Sequence, residues 1–234
     1  MKVLITGCQG FIGGGKDNYV SGVWGAIGGG QSNTASGIYS HAEGSGSKAL
    51  GDYSHAEGFR SCSEGYASHA EGIDAGAKGE YSHAEGNLTQ TIGNDSHAEG
   101  QSTIAFGNDS HAEGEFTISS GSFSHAEGSG SNSRGLGSHA EGRSTLTPGN
   151  FSHAEGFFTT ASGNNSHTEG ENTLALGNGS HAEGLYTTSS GNNSHAEGSS
   201  SITFGNKSAA SLLLLYIDFI SPSIKSSCNA CSQI

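Results

Sequence analysis

Every one of the twelve histidines in this chain lies fourteen residues from the next: His41, His55, His69, His83, His97, His111, His125, His139, His153, His167, His181 and His195. Each sits in Ser-His-Ala-Glu-Gly, with Thr168 in place of Ala in one unit. The glutamates keep the same spacing: Glu43, Glu57, Glu71, Glu85, Glu99, Glu113, Glu127, Glu141, Glu155, Glu169, Glu183 and Glu197. Glycine recurs every seven residues, from Gly30 and Gly37 to Gly198 and Gly205. A fixed period describes an array of like units that bury surface only against their neighbours.

One unit reads S-H-A-E-G-x-x-T-x-A-x-G-N-x. Within it, Ser-x-Ala-x-Gly and Thr-x-(Ala/Ser)-x-Gly each alternate with period two, the pattern of a strand. Two such strands and their short turns leave no room for a helix, which needs about 10 residues. The predicted fold is all-β: a parallel β-roll (solenoid) with 14-residue coils and two short strands per coil. Like strands stack on like at roughly 4.8 Å. Gly-Asn pairs such as Gly93-Asn94, Gly107-Asn108 and Gly163-Asn164 are expected to supply positive φ at the corners.

Composition agrees with a thin architecture. With 40 glycines and 32 % apolar residues, 234 residues cannot fill an ordinary thick core. The glycines follow no G-X-Y triplet, which excludes collagen. A net charge of −13 argues against nucleic acid and against docking on anionic lipid.

Ser40, Ala42, Gly44, Ser47, Ala49 and Gly51 are predicted to point inward, because only small side chains fit so narrow a coil. The alternate positions of the second strand vary: Lys48/Leu50, Gln90/Ile92, Ile104/Phe106, Asn132/Arg134, Leu174/Leu176. That variation marks an outer surface. Its apolar members Ile104, Phe106, Leu174, Leu176, Ile202 and Phe204 form the candidate outer binding face, since contiguous apolar patches mark partner contact. Equally, they could form a seam between chains, with the histidines outside.

His and Glu also point outward, yet they never vary, which implies a repeated contact. Like charges stacked at that spacing destabilise. Burial and repulsion are expected to raise the Glu pKa values, adjacent Glu to favour protonated His, and the columns to titrate jointly. Three readings of the ladder stand: a polar seam between chains, a solvated face, or chelation of zinc or nickel. Regularity along a rod suits a structural role better than a discrete metal site. Ser40 and His41 face opposite sides of a strand and cannot form a Ser–His pair. No catalytic, cofactor or metal residue is therefore assigned.

The predicted divisions are a capping strand over 1–10, repeats over 11–207, and a cap and tail over 208–234. Ala26–Gly30 fits the repeat frame. Phe11–Gly15 repeats it at a spacing of fifteen, with the extra residue expected in the Gly22–Ala26 turn. Ser208–Leu212 reads as a decayed coil with Leu where Gly is expected. Lys2–Thr6 and Leu212–Ile220 are the candidate caps that keep edge strands from recruiting other chains. Leu212–Ile220 is too short to span a bilayer, and only Lys2 precedes a short apolar start, so neither membrane insertion nor a signal peptide is expected. Cys228-Asn229-Ala230-Cys231 is a lone C-x-x-C without a partner pair. Asn-x-Ser/Thr sequons at Asn94, Asn108, Asn150, Asn164, Asn178, Asn192 and Asn206 follow from turn chemistry, with another at Asn87.

The Ser-His-Ala-Glu-Gly repeat resembles the YadA-like head domain of trimeric autotransporter adhesins, and also repeats in fibre and tail-spike-like proteins of phages and large DNA viruses. The resemblance covers roughly residues 11–207. It implies a left-handed roll, a homotrimer of rolls around one axis, and an extracellular, virion or cell-surface location. It also implies a cell-surface or host receptor as partner. In the adhesin heads, aliphatic residues stand where this chain has His41 and Glu43, so a simple apolar trimer core does not carry over. No secretion signal, coiled-coil stalk or membrane barrel is visible, so a complete autotransporter is not expected. The expected function is a non-enzymatic structural or adhesion module without cofactor.

Two competing readings are weaker. An ice- or surface-binding solenoid would use a flat column such as Thr89, Thr103 and Thr117, but alternation turns that column inward. Met1–Gly13 is similar to the opening of an NAD-dependent sugar epimerase, but that site needs a following helix and a distal acidic residue. Here Gly14-Gly15-Lys16 leads into another coil.

Overall fold

The computed structural model describes residues 3–212. The chain alternates between two fifteen-stranded parallel sheets, giving each coil one strand in each sheet. The first sheet runs from Leu4–Ile5 to Ile202–Thr203, the second from Phe11–Ile12 to Ala209–Leu212. No helix occurs among the described residues. In the repeat, register advances by one unit: His97 pairs with His111 and Ala98 with Ala112. This is the expected parallel β-roll. Its second-sheet strands span five residues, as in His97–Gln101, whereas first-sheet strands such as Ile104–Ala105 span only two.

The inward positions are as small as the coil requires. Ala42, Ala49, Ala98, Ala105 and Ala112 are fully buried, as are Ser47 and Thr103. The motif serine does more than fit. Ser96 Oγ donates to the Gly93 carbonyl at 2.6 Å and Ser110 Oγ to the Gly107 carbonyl at 2.6 Å, tying off the turn before each second-sheet strand. A buried hydroxyl thereby finds its partner within three residues.

Two corner assignments need correction. Gly44 does not point inward: it is exposed, and its φ is +98°. It must be glycine because a Cβ there would lie 2.1 Å from the Gly58 carbonyl oxygen of the next coil. Nor does Gly-Asn carry the positive φ. The residue after Asn does, as at Asp95 (53°), Asp109 (54°) and Asn165 (54°). The same position holds Tyr39, Tyr53, Phe123 and Phe151, bulky side chains that pay about 1 kcal/mol each for the left-handed backbone. The Asn serves the stack instead. The Asn94 amide donates to Asn108 Oδ1, Asn150 to Asn164 and Asn178 to Asn192, each at 2.9–3.0 Å.

The extra residue of the two N-terminal coils lies elsewhere than expected. Phe11 pairs with Ala26 and Ala26 with His41, a register step of fifteen. The isolated bridges Lys16–Gln31 and Gln31–Ser45 then place Gly14 and Gly29 as the inserted residues, in the bend after the second-sheet strand rather than in the Gly22–Ala26 turn. Three glycines tolerate that bulge, and buried asparagines line it. Asn33 Nδ2 donates to the carbonyls of Gly29 (2.9 Å) and Gly44 (2.8 Å), while its Oδ1 accepts the Ser47 amide at 2.9 Å. Asn33→Ala should cost about 3 kcal/mol, because it orphans buried backbone groups. Hydrogen exchange should show the loss confined to the coils around residues 18–47; uniform protection would refute it.

At the N-terminal end Leu4–Ile5 pairs with Tyr19–Val20 as the edge of the first sheet. At the other end Gly198 pairs with Leu212, the decayed coil expected there. Lys2, the remainder of Leu212–Ile220, and Cys228 and Cys231 lie outside the described residues.

Candidate functional site

The second sheet presents the histidine and glutamate columns on its outer face. Because strands stack in register, each imidazole lies flat on the next: His83–His97 at 4.9 Å, His111–His125 at 4.7 Å and His139–His153 at 4.8 Å between centroids, with planes within 5°. Two residues further along each strand, the carboxylate faces its own coil's imidazole. Nε2–Oε2 distances are 3.7 Å for His69–Glu71, 3.8 Å for His97–Glu99 and 3.5 Å for His139–Glu141. These contacts are within ion-pair range, and in most coils longer than a hydrogen bond. In His55, His97, His125, His153 and His181, among others, Nε2 is shielded from water and has no hydrogen-bond partner. Stacking thus does what burial in a core would otherwise do. The glutamate column also lines an open groove with Gly44, Gly58, Gly72 and Gly86.

The electrostatics differ from the expectation in one respect. Two glutamates rise: Glu99 is raised first by its hydrogen bond with Glu85 and then by burial, and Glu183 first by its bond with Glu169. Seven histidines fall instead of rising. Burial is the largest cause at His69, His83, His125 and His153, followed by repulsion from the neighbouring imidazoles. Two half-shielded rings stacked face to face outweigh a carboxylate near 3.7 Å.

The variable face of the first sheet is outward as expected, but it does not form one patch. Phe106 is 45 % exposed, Leu176 45 % and Phe204 80 %. Ile104 pairs with Ile118, whereas Leu174 lies between Thr160 and Thr188, and Ile202 beside Thr188. The six residues therefore fall into three groups, separated by polar coils such as that of Asn132 and Arg134. Thr89, Thr103 and Thr117 are fully buried, so they offer no flat face to ice. The chain after Gly13 bends into the strand Tyr19–Val20 and not into a helix, so the epimerase-like opening builds no dinucleotide site.

Sequence reasoning overlooked one feature. Trp24, Tyr39, Tyr53, Tyr66 and Tyr81 form a continuous exposed stack along one corner, with centroids 5.2–6.1 Å apart. The signal was present: except for Tyr66, each precedes the serine position by one residue.

The YadA head domain repeat, in its two-copy form, matches residues 92–110, 98–124, 154–180 and 182–208. These matches, together with the parallel roll, support a YadA-like head domain. The YadA-like head is an adhesin-type structural β-roll, and the coils outside the matched segments continue the same two parallel sheets to both ends of the described chain. No curated protein matches the chain. Among the described residues, no helix is long and apolar enough to cross a membrane.

Proposed function

We propose that this YadA-like chain is a non-enzymatic structural module, a homotrimeric segment of a surface fibre or spike that presents a face for attachment. The observation that carries the reading is the invariance of the second-sheet face beside the variability of the first. Imidazoles repeating every 4.7–4.9 Å along the stack can be matched throughout only by a partner with the same repeat. Another copy of this chain has that repeat. YadA-type heads are trimeric adhesin elements, which favours three rolls with the columns from His41/Glu43 to His195/Glu197 at the seam. Partnerless Nε2 atoms in the coils fit a surface completed by other chains. The first-sheet face, with Phe106, Leu176 and Phe204, is then free to meet a receptor at a cell or virion surface.

Sedimentation equilibrium should give three times the 23.6 kDa chain mass. Replacing His97, His111, His125 and His139 by Ala should shift the mass to one chain while the far-ultraviolet β signal persists. A monomeric parent would overturn the trimer. An unchanged trimer mass and melting in the variant would move the seam to another face.

A further inference from the structure

We propose that the histidine–glutamate face binds divalent transition-metal ions of the zinc class, each held by the imidazole and carboxylate of one coil and the imidazole of the next. The donor set is of the right chemistry, imidazole nitrogen with carboxylate oxygen. In His139, Glu141 and His153 the three ligand atoms lie within 4.8 Å of one another, and the same holds for His111, Glu113 and His125. Tetrahedral bonds of about 2.1 Å place ligand atoms roughly 3.4 Å apart. The His139–Glu141 pair, at 3.5 Å, already spans that distance, so only the imidazole of the next coil has to tilt inward.

A second observation points the same way. Nε2 of His111, His125, His139 and His153 is sheltered from water and makes no hydrogen bond, although its coil's carboxylate lies 3.5–3.9 Å away. Such a nitrogen accepts a cation at little desolvation cost.

Adjacent triads share a histidine, so they cannot all fill together. The triads His111–Glu113–His125, His139–Glu141–His153 and His181–Glu183–His195 share no residue, which sets at least three ions per chain. A regular array of sites is therefore expected. These residues are the ones placed at the seam, so the ion count is read beside the solution mass of the same sample: ions on a single chain would overturn only the trimer, and a trimer without ions only the metal sites.

The test is equilibrium dialysis of the untagged, thiol-alkylated full chain against zinc chloride at pH 7.5. At least three ions should bind per folded chain, and fewer than one in urea. Glu113→Gln, Glu127→Gln, Glu141→Gln, Glu155→Gln and Glu183→Gln together should cut the count to below half, with the circular dichroism unchanged. Cobalt chloride, used as a second probe, should give the strong visible absorption of four-coordinate sites. Fewer than one zinc on the folded chain, equal binding in urea, an undiminished count in the glutamine variant, or only the weak six-coordinate cobalt spectrum would each overturn the proposal. Should the glutamine variant fail to fold, the urea and cobalt comparisons on the parent chain decide.

Discussion

Gly107→Ala is expected to remove more than about 4 kcal/mol of stability and to split the roll into two separately melting halves. A Cβ at Gly107 would lie 2.0 Å from the Gly121 carbonyl oxygen and 2.5 Å from its carbon. The obstacle is backbone of the next coil, which cannot rotate aside as a side chain would. Relief requires the two coils to separate, and that breaks the inter-coil hydrogen bonds on which each unit depends. Gly114→Ala should be comparably severe, since φ there is +103° and the Cβ would sit 2.2 Å from the Gly128 oxygen. Gly76→Ala is the control: its nearest neighbour would be 3.9 Å away and its φ is ordinary. That change should be neutral, or stabilising by about 0.4–1 kcal/mol through the unfolded chain. Thermal and denaturant melts of the three variants give the comparison. Equal destabilisation by Gly76→Ala and Gly107→Ala would show that inter-coil contact is not what demands glycine.

Acidification should weaken the roll. Seven histidines, among them His55, His69, His111 and His181, are pushed below 6.5 in the folded chain, mainly by burial and then by a neighbouring imidazole. Above pH 6.5 they are neutral in both states, and their stabilising share is fully present. As pH falls through 6.5 the unfolded chain takes up protons that the folded stack resists, and stability declines with slope set by that difference. Glu99 and Glu183 act in the opposite sense, because raised carboxyls improve stability as pH falls through the carboxylate range. The windows are separate, and the histidines act first. The histidines are about one-third exposed, so solvent screening leaves each contribution small, and their number carries the effect. The melting temperature should drop by about 5–10 °C between pH 7.5 and 5.5. A flat or rising profile over that range would mean that charging the imidazoles beside their carboxylates is favourable, as the sequence alone suggested.

Much of this fold is legible in one dimension because a roll uses almost no long-range information. Contact partners in the repeat sit one unit apart, so period alone specifies register, as His97 against His111 illustrates. The inward alanines, the outward variable strand and the decayed final coil follow from alternation. Positions 14–15 and 29–30 were harder to place. Three consecutive glycines look alike in every register, and only strand pairing and the Asn33 hydrogen bonds show which one bulges. The candidate site was legible as a ladder but not as an apolar patch. Five coil steps separate Ile104 from Leu174, and the polar coil of Asn132 between them interrupts the surface.

Taken alone, the chain's periodicity determined that it coils, how many residues each coil takes, and which side chains share a column. Tertiary structure decided the consequences of stacking those columns. It placed the positive φ on Asp95 and Asp109 rather than on Asn94 and Asn108, because the Asn108 side chain is committed to the preceding coil's backbone. It made seven histidines, His125 among them, weaker bases, because rings 4.7 Å apart shield and repel one another more than one carboxylate can offset. Both outcomes depend on which atoms meet across the spacing between coils and how far water is kept from them, and the spacing itself does not contain that.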